Sequence, residues 1–253
     1  MFQSDPALAG RVADQLAAKD SPMTIGIAEH ISSETIYQGI YANGRRGLAA
    51  GLGQHLHRRH RRRKARPQGG PVPKKASPLG LYKSISLRPE AAQEREEVGH
   101  FEGDLIIGQA GASAVVTVID RATSLVMLGS LQDGHTSDEV VRRVEWLLRR
   151  LPDEACCTLT WDQGREMARW PELEEHSGVS VYFADPHAPW QRPVNENFNG
   201  LLRRWLPKGT DLSIYDQDDL ESLATRINSM PRRSLGWDCA YRHYYDAISA
   251  LTA

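Results

Sequence analysis

The chain has 253 residues, 31 Lys and Arg against 32 Asp and Glu, and a formal net charge of −1. Hydrophobic residues make up 40% and charged residues 25%, which excludes wholesale disorder, a collagen-like fibre and a coiled-coil rod. No apolar run approaches the roughly 20 residues of a membrane helix, and the start MFQSDPALAG lacks the basic and apolar stretches of a signal peptide. Three cysteines, two of them adjacent, form neither a disulfide framework nor a metal-binding spacing, so a reduced, cytoplasmic protein is expected.

The balanced charge hides a segregation. Residues 1–40 carry −3, residues 41–89 carry +13 with no acid, and residues 90–253 carry −11. Within residues 1–44, Ala9–Ala18 has helical spacing, Ser21-Pro22 caps a short second helix, and Ser32 caps a third, SETIYQGIYA, that stops at Asn43-Gly44. Short capped helices joined by a tight turn suit a helix-turn-helix, with Ser33, Glu34, Thr35 and Gln38 as candidate base readers; a small packing bundle is the plainer alternative. Residues 45–96 read as a basic Gly/Pro/Arg-rich linker. Its run Arg58, Arg59, Arg61, Arg62, Arg63 and Lys64 is denser than solubility requires and points to phosphate contact.

From residue 97 to 253 the pattern changes to strands at 100–107, 113–119 and 124–131, and a helix opened by the Thr136–Glu139 capping sequence. A fourth strand at 156–161, a helix at 166–175, a fifth strand at 179–183, a helix through Leu201, Leu202 and Trp205, and a last long helix capped by Asp216 complete the series. This order predicts an α/β domain with a mixed five-stranded sheet and flanking helices, the order of an RNase H-like core.

Three acids stand out. Asp104 interrupts an otherwise apolar strand, where a carboxylate is costly unless paired or bound to a cation. Asp162 follows the fourth strand in LTWDQG, and Glu196 opens a helix in NENFNGLL, 33 residues further on. Neighbouring first and fourth strands, with that helix passing over their ends, would gather the three around one or two hard cations with oxygen ligands. Each acid also has a plainer reading: Asp104 pairs with a buried arginine, Asp162 forms a turn before Gly164, and Glu196 is solvated. Glu102, on the same strand face as Asp104, is a further candidate.

The segments GHFEGDLIIG, LTWDQGREMA, ADPHAPWQRPVNENFNGLLRRWLPKGTDL and PRRSLGW, with ISSETIYQGIYA and ISLRPE upstream, resemble motifs of the bacterial transposases of insertion-sequence family thirty. The resemblance covers nearly the whole chain. It implies an integrase-type catalytic core in which Asp104, Asp162 and Glu196 take the places of the DDE triad and hold Mg²⁺ or Mn²⁺, in two ions. The implied partners are DNA, as terminal inverted repeats and as target, and further copies of the chain assembled on it at the bacterial nucleoid. Pro193-Val194, Met230 and the run DCAYRHYYD depart from the family pattern, and residues 21–32 are shorter than its first DNA-binding helix and turn. A copy shortened or drifted at the N-terminus is therefore expected, and a DNA-binding protein without catalysis stays open as the second reading.

Overall fold

The computed structural model describes residues 2–42, 44–56, 79–132, 134–186 and 188–251. The chain divides into two units, Met1–Pro73 and Lys74–Ala253.

The first unit holds helices α1 (Pro6–Ala17), α2 (Pro22–Ala28) and α3 (Ser33–Tyr41). Each begins where the sequence supplies a side-chain acceptor: the Asp5, Ser21 and Ser32 side chains accept from the backbone N–H groups of Leu8, Thr24 and Thr35. Leu8, Val12, Leu16, Ile25, Ile36 and Ile40 turn inward and form one core. Gly26 lets α2 approach the turn before α3, since a Cβ there would lie 2.6 Å from the Ile31 carbonyl oxygen. Leu48 and Leu52, within the segment read as linker, are buried in this core as well. The glycines around them allow a tight path, and two leucines suffice to seat it.

The second unit contains α4 (Glu90–Glu94) and a five-stranded sheet, β1 (His100–Ile107), β2 (Ala114–Asp120), β3 (Val126–Leu131), β4 (Thr158–Trp161) and β5 (Ser180–Phe183). Strand order is β3-β2-β1-β4-β5. β2 runs antiparallel to β1 and β3, while β4 and β5 run parallel to β1 and to each other. This is the RNase H-like arrangement expected from the order of elements. Against one face pack α5 (Ser137–Leu148) and α6 (Trp170–Ser177), through Val140, Val144, Leu147 and Leu173. Against the other pack α7 (Pro193–Leu202) and α8 (Gln217–Asn228), through Phe198, Leu202, Leu220 and Ile227. Covered on both faces, β2 is buried along its whole length.

Several elements differ from the sequence expectation; β3 and β4, for example, each start two residues later, at Val126 and Thr158. The helix expected at 166–175 is a 3-10 turn, Arg165–Met167, followed by α6, whose start at Trp170 places Pro171 in the first turn where its missing N–H costs nothing. The helix expected to reach Trp205 ends at Leu202. A further helix, α9 (Ala240–Leu251), was not anticipated; its Tyr241, Tyr244 and Ile248 pack on Val98 and Leu125.

Candidate active site

β1 and β4 are adjacent parallel strands with Glu102 opposite Thr160. Continuing that register by two residues sets Asp104 beside Asp162 where β4 ends. Side chains alternate along β1, so Glu102, Asp104 and Ile106 share the face covered by α7.

α7 is pinned along β1 by one stripe of polar side chains. Arg192 Nη1 and Asn195 Nδ2 donate to the Gly103 carbonyl at 2.9 and 3.0 Å. The Asn195 N–H donates to Glu102 Oε2 at 2.9 Å, Asn199 Nδ2 to Asp104 Oδ2 at 2.7 Å, and Arg203 Nη2 to the Ile107 carbonyl at 2.9 Å. Spacings of three, four and four residues keep these groups on one helix face. They supply β1 with donors where β4 no longer runs beside it. On the opposite face of β1 Gly103 is required, because a Cβ there would run into the Trp161 ring.

Asp104 and Asp162 meet the same guanidinium. Arg192 Nη2 lies 3.2 Å from Asp162 Oδ2, and Nη1 lies 3.9 Å from Asp104 Oδ1. The Gly164 N–H donates to Asp162 Oδ1 at 3.0 Å, so the turn-forming reading of Asp162 holds in the same geometry. The plainer reading of Asp104, pairing with an arginine, holds in part: Arg192 is half-buried, with 13% of its side chain exposed. Glu196 sits in the first turn of α7, exposed, four residues after Arg192 and three before Asn199, on the flank of the pinning stripe. It is not among the carboxylates that Arg192 bridges. Among the described residues, no three His, Cys, Asp or Glu side chains are gathered closely enough to enclose a metal ion.

The electrostatics are those of crowded carboxylates. Burial pushes the Asp104 carboxyl above the usual aspartate range; Arg192 opposes this and the negative charge of Asp162 adds to it. Glu166 is raised as well, first by burial and then by repulsion from Asp162 and Asp104, while Trp161 Nε1 donates to it at 3.2 Å. Glu102 is raised by burial, against the Asn195 N–H and Arg121. Arg121 lies 3.3 Å from Glu102 Oε1, and both side chains are buried. Glu102 therefore anchors the start of α7 rather than facing solvent beside Asp104. Sequence reasoning missed Arg192, Asn199 and Glu166. The signals were present in WQR, NEN-F-N and WDQGRE, but only the fold shows that they return to β1.

In α3, Glu34 and Gln38 are exposed, while Ser33 and Thr35 are half-buried. Thr35 Oγ1 is 2.7 Å from the capping Ser32 Oγ, and Gln38 Oε1 accepts from Arg46 Nη1 at 2.7 Å. The run Arg58, Arg59, Arg61, Arg62, Arg63 and Lys64 lies outside the described residues. No helix among the described residues is long and apolar enough to cross a membrane.

No family model matches the chain. The catalytic core domain of BIV integrase is similar in structure over 60% of this chain and 97% of that one, with 15% identity and a TM-score of 0.46. The transposase for insertion sequence element IS1086 of Cupriavidus metallidurans is 42% identical over 212 residues, covering 82% of this chain and 60% of the relative. Transposase InsI for insertion sequence element IS30A of Escherichia coli is 37% identical over 205 residues, covering 81% and 53%. The chain thus spans little more than half the length of these two relatives. The transposase for insertion sequence element IS4351 of Bacteroides fragilis is 34% identical over 243 residues, covering 92% of this chain and 71% of the relative. On this similarity the chain belongs to the bacterial transposases of insertion-sequence family thirty.

Proposed function

We propose that the protein cuts and joins DNA strands in the movement of an insertion sequence, with Asp104, Asp162 and Glu196 as the metal-holding carboxylates. The observation that carries this reading is the convergence of Asp104, within β1, and Asp162, just past the end of the adjacent parallel β4, on one guanidinium. Two carboxylates already facing a shared cation form an oxygen-only donor set that fits Mg²⁺ or Mn²⁺. When bound, a pair of such ions activates the attacking oxygen and stabilises the leaving oxygen of a phosphodiester. The chain's own part is placement. β1 and β4 fix two carboxylates, the stripe of α7 fixes the helix that carries Glu196, and Asn199 orients the Asp104 carboxylate by donating to Oδ2. In the first step water attacks phosphorus, the P–O3′ bond breaks and a 3′-hydroxyl leaves; in the second that hydroxyl attacks a phosphodiester of the target, joins to its 5′-phosphate and expels the target strand's 3′-hydroxyl.

Recognition of terminal inverted repeats is assigned to residues 1–44, with Ser33, Glu34, Thr35 and Gln38 at the base edges. Thr35 and Gln38 first exchange their partners Ser32 and Arg46. The run Arg58, Arg59, Arg61, Arg62, Arg63 and Lys64 neutralises phosphates without reading sequence, and copies of the chain assemble on the two element ends.

The test is Mg²⁺-dependent nicking of DNA carrying the inverted repeats. Asp104→Asn and Glu196→Gln are expected to lower the rate by roughly a thousandfold or more, since several kcal/mol of charge stabilisation is lost, while DNA binding persists. Undiminished nicking in either variant would remove that carboxylate from the machinery. Binding without nicking in the unaltered protein would favour the non-catalytic reading.

A further inference from the structure

We propose that Arg192 sets the divalent-cation affinity of the Asp104–Asp162 pair, because its guanidinium occupies the place between the two carboxylates and has to be displaced. The inference rests on the reading of these acids as metal ligands.

The geometry makes Arg192 a tethered competitor. It contacts Asp162 Oδ2 at 3.2 Å and Asp104 Oδ1 at 3.9 Å, and donates to the Gly103 carbonyl at 2.9 Å. It precedes α7 directly, and its side chain is 13% exposed, so the charge is held at the site at high effective concentration. A guanidinium stays charged at every relevant pH and pairs well with carboxylates. A small dication that gives up its water reluctantly must outcompete it. Without Arg192 the two carboxylates would face one another unneutralised and repel, which favours any incoming cation. Holding α7 does not depend on this side chain alone, because Asn195 also donates to the Gly103 carbonyl and its N–H reaches Glu102. Arg192 is thus a positioning residue that acts through the two carboxylates.

The test is Mn²⁺ binding to the full chain without DNA, read by electron paramagnetic resonance of free Mn²⁺ and by the Mn²⁺-induced rise in melting temperature. Arg192→Gln is expected to bind roughly tenfold more tightly, the size expected when a competing, partly buried ion pair is removed. Its melting temperature without metal should fall, and its Mn²⁺-induced rise should exceed that of the unaltered protein. Arg192→Lys, which keeps the charge but not the two-pronged contact, should fall between the unaltered protein and Arg192→Gln. Arg192→Met, which keeps the apolar stem, gives the same comparison if the glutamine variant does not fold. Asp104→Asn should abolish the binding. Equal or weaker Mn²⁺ binding by a folded Arg192→Gln, with Asp104→Asn still abolishing it, would overturn the role of Arg192 and leave the metal reading standing. Binding that survives Asp104→Asn would overturn both, and so would its absence from every protein tested. Binding seen in Arg192→Gln alone would support the proposal in its strongest form.

Discussion

An aspartate within a strand needs a neutralising partner, and Asp104 has the Arg192 guanidinium, with the Asn199 amide and the Leu105 N–H as further donors. Its position was legible in the sequence as a polar break in Leu105-Ile106-Ile107. Its partners were not, because they lie roughly 90 residues away and only the return of α7 across β1 brings them in. A second buried group carries a pH dependence. His100 Nδ1 lies 2.9 Å from Thr158 Oγ1. Burial holds its imidazole below the ordinary value of about 6.5, helped by Arg121 and opposed by Glu97 and Asp120. The unfolded chain therefore takes up this proton before the folded one does. The contribution of His100 to stability is present above about pH 6.5 and is lost as the pH falls below it. Glu102, Asp104 and Glu166, raised by burial, act in the opposite sense, but they are present in both proteins of the comparison. Denaturant melts at pH 7.5 and 5.5 should thus show a smaller acid loss in His100→Gln than in the unaltered protein. An equal loss would mean that His100 titrates normally in the fold.

At the scale of elements, β3 is an edge strand, and α8 closes that edge. Asn228 accepts from the Val126 N–H at 2.9 Å and donates to the Val126 carbonyl at 2.8 Å. Gln217, at the other end of α8, accepts from the Ser130 N–H and donates to the Leu128 carbonyl, both at 3.0 Å. The free backbone groups of an edge strand are a template for unwanted pairing, and two amide side chains eleven residues apart cover this one. Asn228→Ala leaves two buried backbone groups unpaired and should cost about 2–4 kcal/mol of unfolding free energy, with increased aggregation on heating. A loss below about 0.5 kcal/mol in chemical denaturation would show that water replaces the amide. The sequence announced α5 through the capping box of Thr136 with Glu139 and α8 through its cap Asp216, and both form, Asp216 in a box with Asp219. It did not announce α9, where Tyr241, Tyr244 and Tyr245 blur the apolar stripe and Tyr245 stays exposed. It also understated residues 45–56, because a glycine-rich composition hides the two leucines that complete the first core.

At the scale of the molecule, the charge is segregated along the chain. The segment 90–253 carries −11 and contains Asp104, Asp162 and Glu196, while 41–89 carries +13, a charge that under the proposed function attracts a polyanion. An acidic core can act on a phosphodiester only if cations offset its charge, so the account stands or falls on whether Asp104 serves as a metal ligand. The most direct measurement is rescue of strand cleavage by metal choice, using Asp104→Cys and Asp104→Ala on DNA bearing the inverted repeats. Mg²⁺ strongly prefers oxygen, whereas Mn²⁺ tolerates a softer sulfur ligand. With Asp104 as a metal ligand, Asp104→Cys is expected to be inactive in Mg²⁺ and to regain cleavage in Mn²⁺, while Asp104→Ala stays inactive in both. Cleavage by the two variants that is indistinguishable in Mn²⁺ would contradict that role.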